Sequence, residues 1–545
     1  MSAVFSLEGI PQEVLEHIAF FSATETIIGP PSGLVPLISC SRNIYRSLSN
    51  ETNPHLYARI FEYKFDIHAA IRRLGPHITV AAVLSAELRK RFIYLKRIRA
   101  KSDSSRDLVD SGKSPETLSH LLWLAYLMML ENDGKNELQL REYARTESWL
   151  WEYWFARNGA SLTADLIGRD LWPPDNEINA LAMWLFWLLL KPDQYKRGGG
   201  DFRIVTTVLK LTALAANRYD ICWPDWAHFV PPSQPTPSSS VSHYSDIYHL
   251  TPPPLATPAI LSYLTFAIQL SIPARATDFK PRYAPPSIPS LAHSSEWEPD
   301  WQRCVNLGRA AYGSAFSGAY TPGSIEGIWE GMFTYTEFTA YAALLSGGAP
   351  PILHKSLVAQ HRQTWKLREY HLMNPSENNN LGESLAPLSA GDPLRAYFPI
   401  GTRISDCSNA IEVREPGKPD VLRYARSASC GNATLSGQDF QRLKDIIILG
   451  EVHFPLPLLS LWCCRPLTIA LQGHSAWGEF NLIGRIRPCD GFISLSKEYA
   501  NRGKWLYRGF LVGNADGNLA GRWRDTLSPI NVSGYEGCFV MSRRR

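Results

Sequence analysis

Five arginines sit among apolar, strand-like stretches late in the sequence: Arg485, Arg487, Arg508, Arg522 and Arg524. A guanidinium is a planar fork of donors that grips a carboxylate or phosphate through two parallel hydrogen bonds. Residues 474–545 hold eleven Lys or Arg against six Asp or Glu, so the local +5 exceeds the +4 of the whole chain. An acidic or phosphorylated peptide is the ligand this pattern would take. Strand alternation also permits a plainer reading. Arg522 and Arg524 fall on the face opposite Trp523, where outward, solvated side chains belong.

Catalytic constellations are near misses. Gly473-His-Ser-Ala-Trp477 opens like a nucleophile elbow, but Trp477 stands where the tight turn needs Gly. HExxH, GxxxxGK[ST] and GxGxxG do not occur. Asn514-Ala-Asp-Gly-Asn518 offers oxygen ligands without the spacing or closing Glu of a calcium loop. His354 and His361 are too far apart in sequence to suggest a metal pair. Nine cysteines include no CxxC, and only Cys463 and Cys464 are adjacent. This disfavours a zinc cluster or a redox pair and fits reduced thiols in a cytoplasmic or nuclear protein. No cofactor, no metal and no catalysis by the chain's own residues are expected.

The elements that must carry these residues follow from composition and period. A length of 545 residues suggests three or four domains, and 45% hydrophobic with 19% charged residues suffices for sizeable cores. The near-balanced charge argues against a nucleic-acid partner. The most apolar runs, Leu118–Leu130 and Ile178–Leu190, have 13 residues each. They fall short of the roughly 20 that cross a bilayer, so buried helices and no membrane are expected. Met1–Ile10 lacks a basic start and an apolar core, so it does not read as a signal peptide. The sequons at Asn50, Asn432 and Asn531 would then stay bare.

Three textures divide the chain. Residues 6–66 read as short helices, with Pro11 at a first turn and a break at Gly29-Pro-Pro-Ser-Gly33. Residues 67–320 read as a tryptophan-rich helical region, with helices near 115–131, 137–157, 176–191 and 202–217. A Pro/Ser-rich stretch at 224–258 is expected to be an extended or disordered loop. The basic run 87–101 reads as a solvated helix face with Phe92, Ile93, Leu95 and Ile98 packing, or as a nuclear import signal. Residues 321–545 change to period 2, with strands near 327–335, 446–454, 466–472, 476–486, 491–496, 504–512, 518–524 and 534–542. A helical interruption is expected around Ser356–Leu372. Gly327-Ile-Trp-Glu-Gly-Met-Phe333 and Gly534-Tyr-Glu-Gly-Cys-Phe-Val540 resemble each other, which favours a closed barrel over a sandwich.

The first texture carries a family resemblance. Ile10-Pro-Gln-Glu-Val-Leu15, Leu34-Val-Pro-Leu-Ile-Ser-Cys-Ser-Arg-Asn-Ile-Tyr-Arg-Ser-Leu48 and Asn53-Pro-His-Leu-Tyr-Ala-Arg-Ile-Phe61 together resemble an F-box. Ile10 stands where the family has Leu, and Ile27–Gly33 lengthens the first inter-helix loop. The chain is similar to fungal F-box proteins with a helical region and a C-terminal β-barrel. That resemblance implies a substrate adaptor of a Skp1–cullin–F-box ubiquitin ligase. Ile10, Pro11, Leu15, Ile18, Leu34, Leu37 and Ile38 would dock the Skp1-like partner; the competing reading makes them the core of a helical hairpin. The β domain would select an unidentified protein substrate.

The fold class expected is α+β and multidomain: an N-terminal helical F-box, a tryptophan-rich helical middle, and a C-terminal antiparallel β-barrel (lipocalin-like) or sandwich. An alternative function uses the barrel interior for a small apolar ligand lined by Trp329, Phe333, Trp477, Trp505, Tyr507 and Trp523. Aromatics at alternating strand positions more often make a solid core than a ligand box. A packed interior would exclude the ligand, whereas a cavity of several hundred cubic ångströms would support it.

Overall fold

The computed structural model describes residues 7–106, 115–195, 199–231, 237–271, 286–289, 293–308, 318–372, 386–407, 409–426, 445–451, 472–475, 478–499 and 503–544. Helices come first. α1 (Gln12–Ala23), α2 (Leu34–Ile38), α3 (Arg42–Leu48) and α4 (Pro54–Lys64) make an N-terminal module. Ser41 Oγ accepts the Ile44 N–H, and Asn53 Oδ1 accepts the Leu56 N–H at 3.1 Å. These caps satisfy donors that the first turns of α3 and α4 leave open. Leu15, Leu34, Ile44, Leu48, Leu56 and Phe61 turn inward.

Their core runs without a break into the next helices. These are α5 (His68–Leu74), α6 (Ala81–Arg99), α7 (Pro115–Leu130), α8 (Lys135–Leu138), α9 (Thr146–Phe155), α10 (Thr163–Gly168), α11 (Glu177–Leu188) and α12 (Gly200–Leu214). Trp123, Trp149, Trp154, Trp184 and Trp187 are among the largest fully buried side chains. No described helix is long and apolar enough to cross a membrane.

Two expectations for this region need correction. On α6, Phe92, Leu95 and Ile98 are buried, while Ile93 is exposed. Arg91 is not on a solvated face. It is wholly buried, paired with Glu87 and Glu131, and bonded to the Tyr244 hydroxyl at 3.0 Å. His243 joins the same cluster, 2.6 Å from Glu131. Burial alone would push the Glu131 carboxyl up, but His243 and Arg91 beside it hold it at about 2. The stretch 224–258 is likewise more than a loop. Within it β1 (Ser239–His243) and β2 (Asp246–Leu250) form a hairpin turned by Tyr244 and Ser245, both at positive φ. Proline flanks the hairpin, while Val241, His243 and Leu250 anchor it from below.

After α13 (Ala256–Ser271) and α14 (Glu298–Leu307) the chain becomes a sheet. β3 (Gly327–Thr336) is followed by two short helices, α15 (Phe338–Leu345) and α16 (Pro351–Lys355), and then β4 (Val358–Leu372). The expected helix at Ser356–Leu372 is therefore a 15-residue strand. Gln363, Trp365 and Leu367 alternate inward, and the polar Gln363 and Glu369 on that inward face hid the period. β5 (Arg403–Cys407), β6 (Ala410–Arg414) and β7 (Val421–Arg426) extend the far end of β4.

β8 (Ile446–Glu451), β9 (Gln472–Ser475), β10 (Gly478–Ile486), β11 (Ile493–Tyr499), β12 (Gly503–Val512), β13 (Asn518–Asp525) and β14 (Glu536–Arg543) complete the set. The order β3-β14-β13-β12-β11-β10-β8-β4 closes because β4 also pairs with β3. The result is a closed eight-stranded antiparallel barrel, and the protein is α+β. The two similar stretches are neighbours: Phe333 faces Phe539, and Gly331 faces Met541. Gly509 lies opposite Gly521, and a Cβ on Gly521 would come within 1.9 Å of the Arg508 carbonyl oxygen. Only glycine permits that approach, where the wall must coil tightly.

Candidate functional site

The five arginines alternate with the barrel's interior residues, so they stand on the outside of its wall. None is solvated: each is at most 2% exposed. The segment 212–229, which leaves α12, lies over them and supplies backbone carbonyls. Arg487 pairs with Asp490 at 2.6 Å and donates to the carbonyls of Pro224, Asp225 and His228. Arg485 pairs with Asp445 at 2.8 Å, donates to Leu388, Ser389 and Tyr397 carbonyls, and lies 4.0 Å over the Phe229 ring. Both guanidiniums are saturated from within. The ligand-gripping role expected of Arg485 and Arg487 is replaced by a structural one.

Arg522 donates to the carbonyls of Thr212, Ala213 and Tyr219. The first two belong to the last turn of α12, where carbonyls lack partners within the helix and carry partial negative charge. Arg508 pairs with Glu536 at 2.9 Å and stacks 4.0 Å over Trp226. Arg524 lies 5.2 Å from the same ring and donates to the Ser528 and Pro529 carbonyls. The indole is thus flanked by two guanidiniums.

These last three arginines line one cavity of about 470 Å³, with Asn217, Asp220, Trp226 and Glu536. The Nε of Arg508 and of Arg522 has no acceptor among the described residues. Burial pulls the Arg522 guanidinium below its usual range, with Glu536 opposing. It pushes Asp220 up, with Arg522 opposing. The wall therefore holds open donors beside one direct ion pair.

A second cavity opens at the barrel mouth. It measures about 190 Å³ and is lined by Phe333, Tyr335, Tyr499, Trp505, Tyr507, Trp523 and Tyr535. The volume is below several hundred cubic ångströms, yet the interior is not solid. Trp329 belongs to the packed barrel core, and Trp477 lies outside the described residues. Sequence reasoning missed Lys497. It pairs in register with Leu482 and Trp505, so it shares their inward face. The signal was there in Ile493, Leu495, Lys497 and Tyr499, which alternate along β11. Lys497 Nζ is fully buried, donates to Gln363 Oε1 at 2.8 Å, and lies 3.8 Å over the Phe480 ring.

At the other end of the molecule, the residues expected to dock a partner divide. Leu15 and Leu34 are buried inside the module and cannot meet a partner directly. Pro11 and Ile18 are exposed, and Ile10, Leu37 and Ile38 are half-buried. Val14 and Phe21, not among the residues expected to dock, continue the exposed line of Ile18 at helical spacing along α1 and are 46% and 67% exposed. Val35 on α2 is also exposed. The lengthened loop Ile27–Gly33 is pinned from behind: Gln139, itself buried, accepts the Gly29 N–H at 2.8 Å and donates to the Ile27 carbonyl. Among the described residues no three His, Cys, Asp or Glu side chains are grouped to hold a metal. Comparison with known proteins gave no match to a family model, to a curated protein or to a solved structure.

Proposed function

We propose that the protein is a substrate adaptor of a Skp1–cullin–F-box ubiquitin ligase. The N-terminal module would be the F-box, and the C-terminal half would select the protein to be modified. One observation carries this reading: Pro11 at the start of α1 and Val14, Ile18 and Phe21 along it form an apolar line that the other described residues leave exposed. An uncovered apolar face on a small helical module is a surface that another protein completes. The motif resemblance names the partner as Skp1-like. The cavity of Arg508, Arg522 and Arg524 is where an acidic or phosphorylated segment of the substrate would bind.

Co-purification with Skp1 tests the docking step. Ile18→Glu with Phe21→Glu is expected to abolish the complex while leaving the melting temperature unchanged, because both side chains face solvent. Retention of Skp1 by a folded double variant would overturn the reading.

A second reading is favoured by the cavity at the barrel mouth: a lipocalin-like barrel holding a small apolar ligand, with the N-terminal module as its anchor. An apolar cavity of ~150 Å³ is enough to take up benzene. Quenching of tryptophan fluorescence by naphthalene, lost in Trp505→Leu, is the expected signature. No saturable quenching would remove this second reading.

A further inference from the structure

We propose that the Lys497 amine forms an imine with an aldehyde whose apolar body fills the cavity at the barrel mouth. This rests on the second reading above, that the barrel holds a small apolar ligand. Lys497 is a buried amine without an acid. Its hydrogen bond goes to the neutral Gln363, and no carboxylate stands within ion-pair distance among the described residues. Its other neighbours are rings: Nζ lies 3.8 Å from the Phe480 centroid, 5.0 Å from Tyr499, 5.3 Å from Tyr507 and 5.6 Å from Phe333. Three of these four rings also line the cavity, so the amine stands directly behind its aromatic wall. A buried lysine that served stability would have a carboxylate partner, or would be replaced by an apolar residue.

Burial with no compensating charge drives the Lys497 pKa well below its ordinary value. That shift favours the neutral form of the amine, and a neutral amine is a nucleophile. The Tyr507 hydroxyl lies beside the Gln363 side chain. Burial pushes that phenol up, so it keeps its proton. The nitrogen lone pair attacks the carbonyl carbon, forming the C–N bond, and the C=O π pair moves to oxygen, which takes up one of the two amine protons. The resulting carbinolamine loses its protonated oxygen as water while nitrogen gives up its remaining proton. Amine and aldehyde thus become imine and water, with no oxidant or reductant. Trp505 and Tyr535 are only partly covered at the rim, which leaves an entry path.

The test uses the full-length protein, 2-naphthaldehyde and cyanoborohydride at pH 7, with peptide mass mapping of the reduced adduct. Lys497 is expected to be labelled at least tenfold faster than any surface lysine, and naphthalene is expected to slow the labelling. Lys497→Met should remove that adduct while still binding naphthalene by fluorescence quenching. Naphthalene binding without a Lys497 adduct would overturn the imine and leave the cavity reading standing. Labelling spread evenly over surface lysines would overturn it too. So would 2-naphthoate binding tenfold tighter than the aldehyde in a Lys497-dependent manner, since the site would then be one for an acid. Absence of naphthalene binding would overturn the cavity reading on which the imine rests.

Discussion

Lys497→Met is expected to raise the melting temperature, by a stability gain of about 1–3 kcal/mol, because burying an unpaired amine disfavours the native state. The gain has a pH signature. The folded-state pKa of Lys497 is depressed, so between that value and the unfolded value the unfolded chain binds the extra proton. Wild-type stability therefore rises with pH through this window, and the advantage of the Met variant shrinks from pH 6 to pH 9. Melting curves of both proteins at the two pH values measure the difference. A Met variant that melts lower at pH 6 would refute the account of Lys497 as a strained residue. Stability surrendered at one side chain is what a functional residue looks like thermodynamically.

At the level of elements, the arginines on the barrel wall act as caps for structure that lies elsewhere. Arg522→Ala removes donors from the last carbonyls of α12 and should cost about 2–3 kcal/mol in urea unfolding. Arg522→Lys should recover less than half, because a single ammonium cannot span Thr212, Ala213 and Tyr219 together. Full recovery by Lys would mean that charge alone matters. These residues also mark what the sequence could and could not reveal. Strand alternation disclosed the barrel, and the likeness of residues 327–333 to 534–540 disclosed the closure. Period 2 placed Arg522 and Arg524 opposite Trp523, correctly outside the barrel. It could not disclose that a segment some 300 residues earlier would cover them, since nothing local records what packs on a strand's outer face. β4 was missed for a related reason: Gln363 and Glu369 are polar yet face inward, so the apolar rhythm that identifies a strand was broken. The exposed apolar line on α1 was half legible, because helical spacing groups Val14, Ile18 and Phe21 without saying which side the rest of the chain covers.

Across the whole molecule, helical region and barrel share buried surface rather than a linker. Tyr341, Phe492, Phe510 and Val540 from the β half belong to the same hydrophobic cluster as Leu15, Trp123 and Leu264. Arg303 of α14 reaches the Asp490 carbonyl, and Asp300 accepts the Gly513 N–H at 3.1 Å. A single cooperative calorimetric transition is therefore expected, with barrel and helices lost together. Two resolved transitions would show that the shared core and the arginine contacts do not couple the halves.

The same contacts set an order in time. Arg522 lies 303 residues after Tyr219, whose carbonyl it holds, and β3 cannot complete its pairing until β14 has been made. At roughly 5–20 residues per second of synthesis, the end of α12 waits on the order of 15–60 s for its guanidinium. During that interval the helical half leaves the ribosome with its barrel-facing side bare. Folding of this chain is thus bound to the arrival of its last strands, and fragments that stop before β13 carry a sticky, uncapped flank that makes them clients for chaperones.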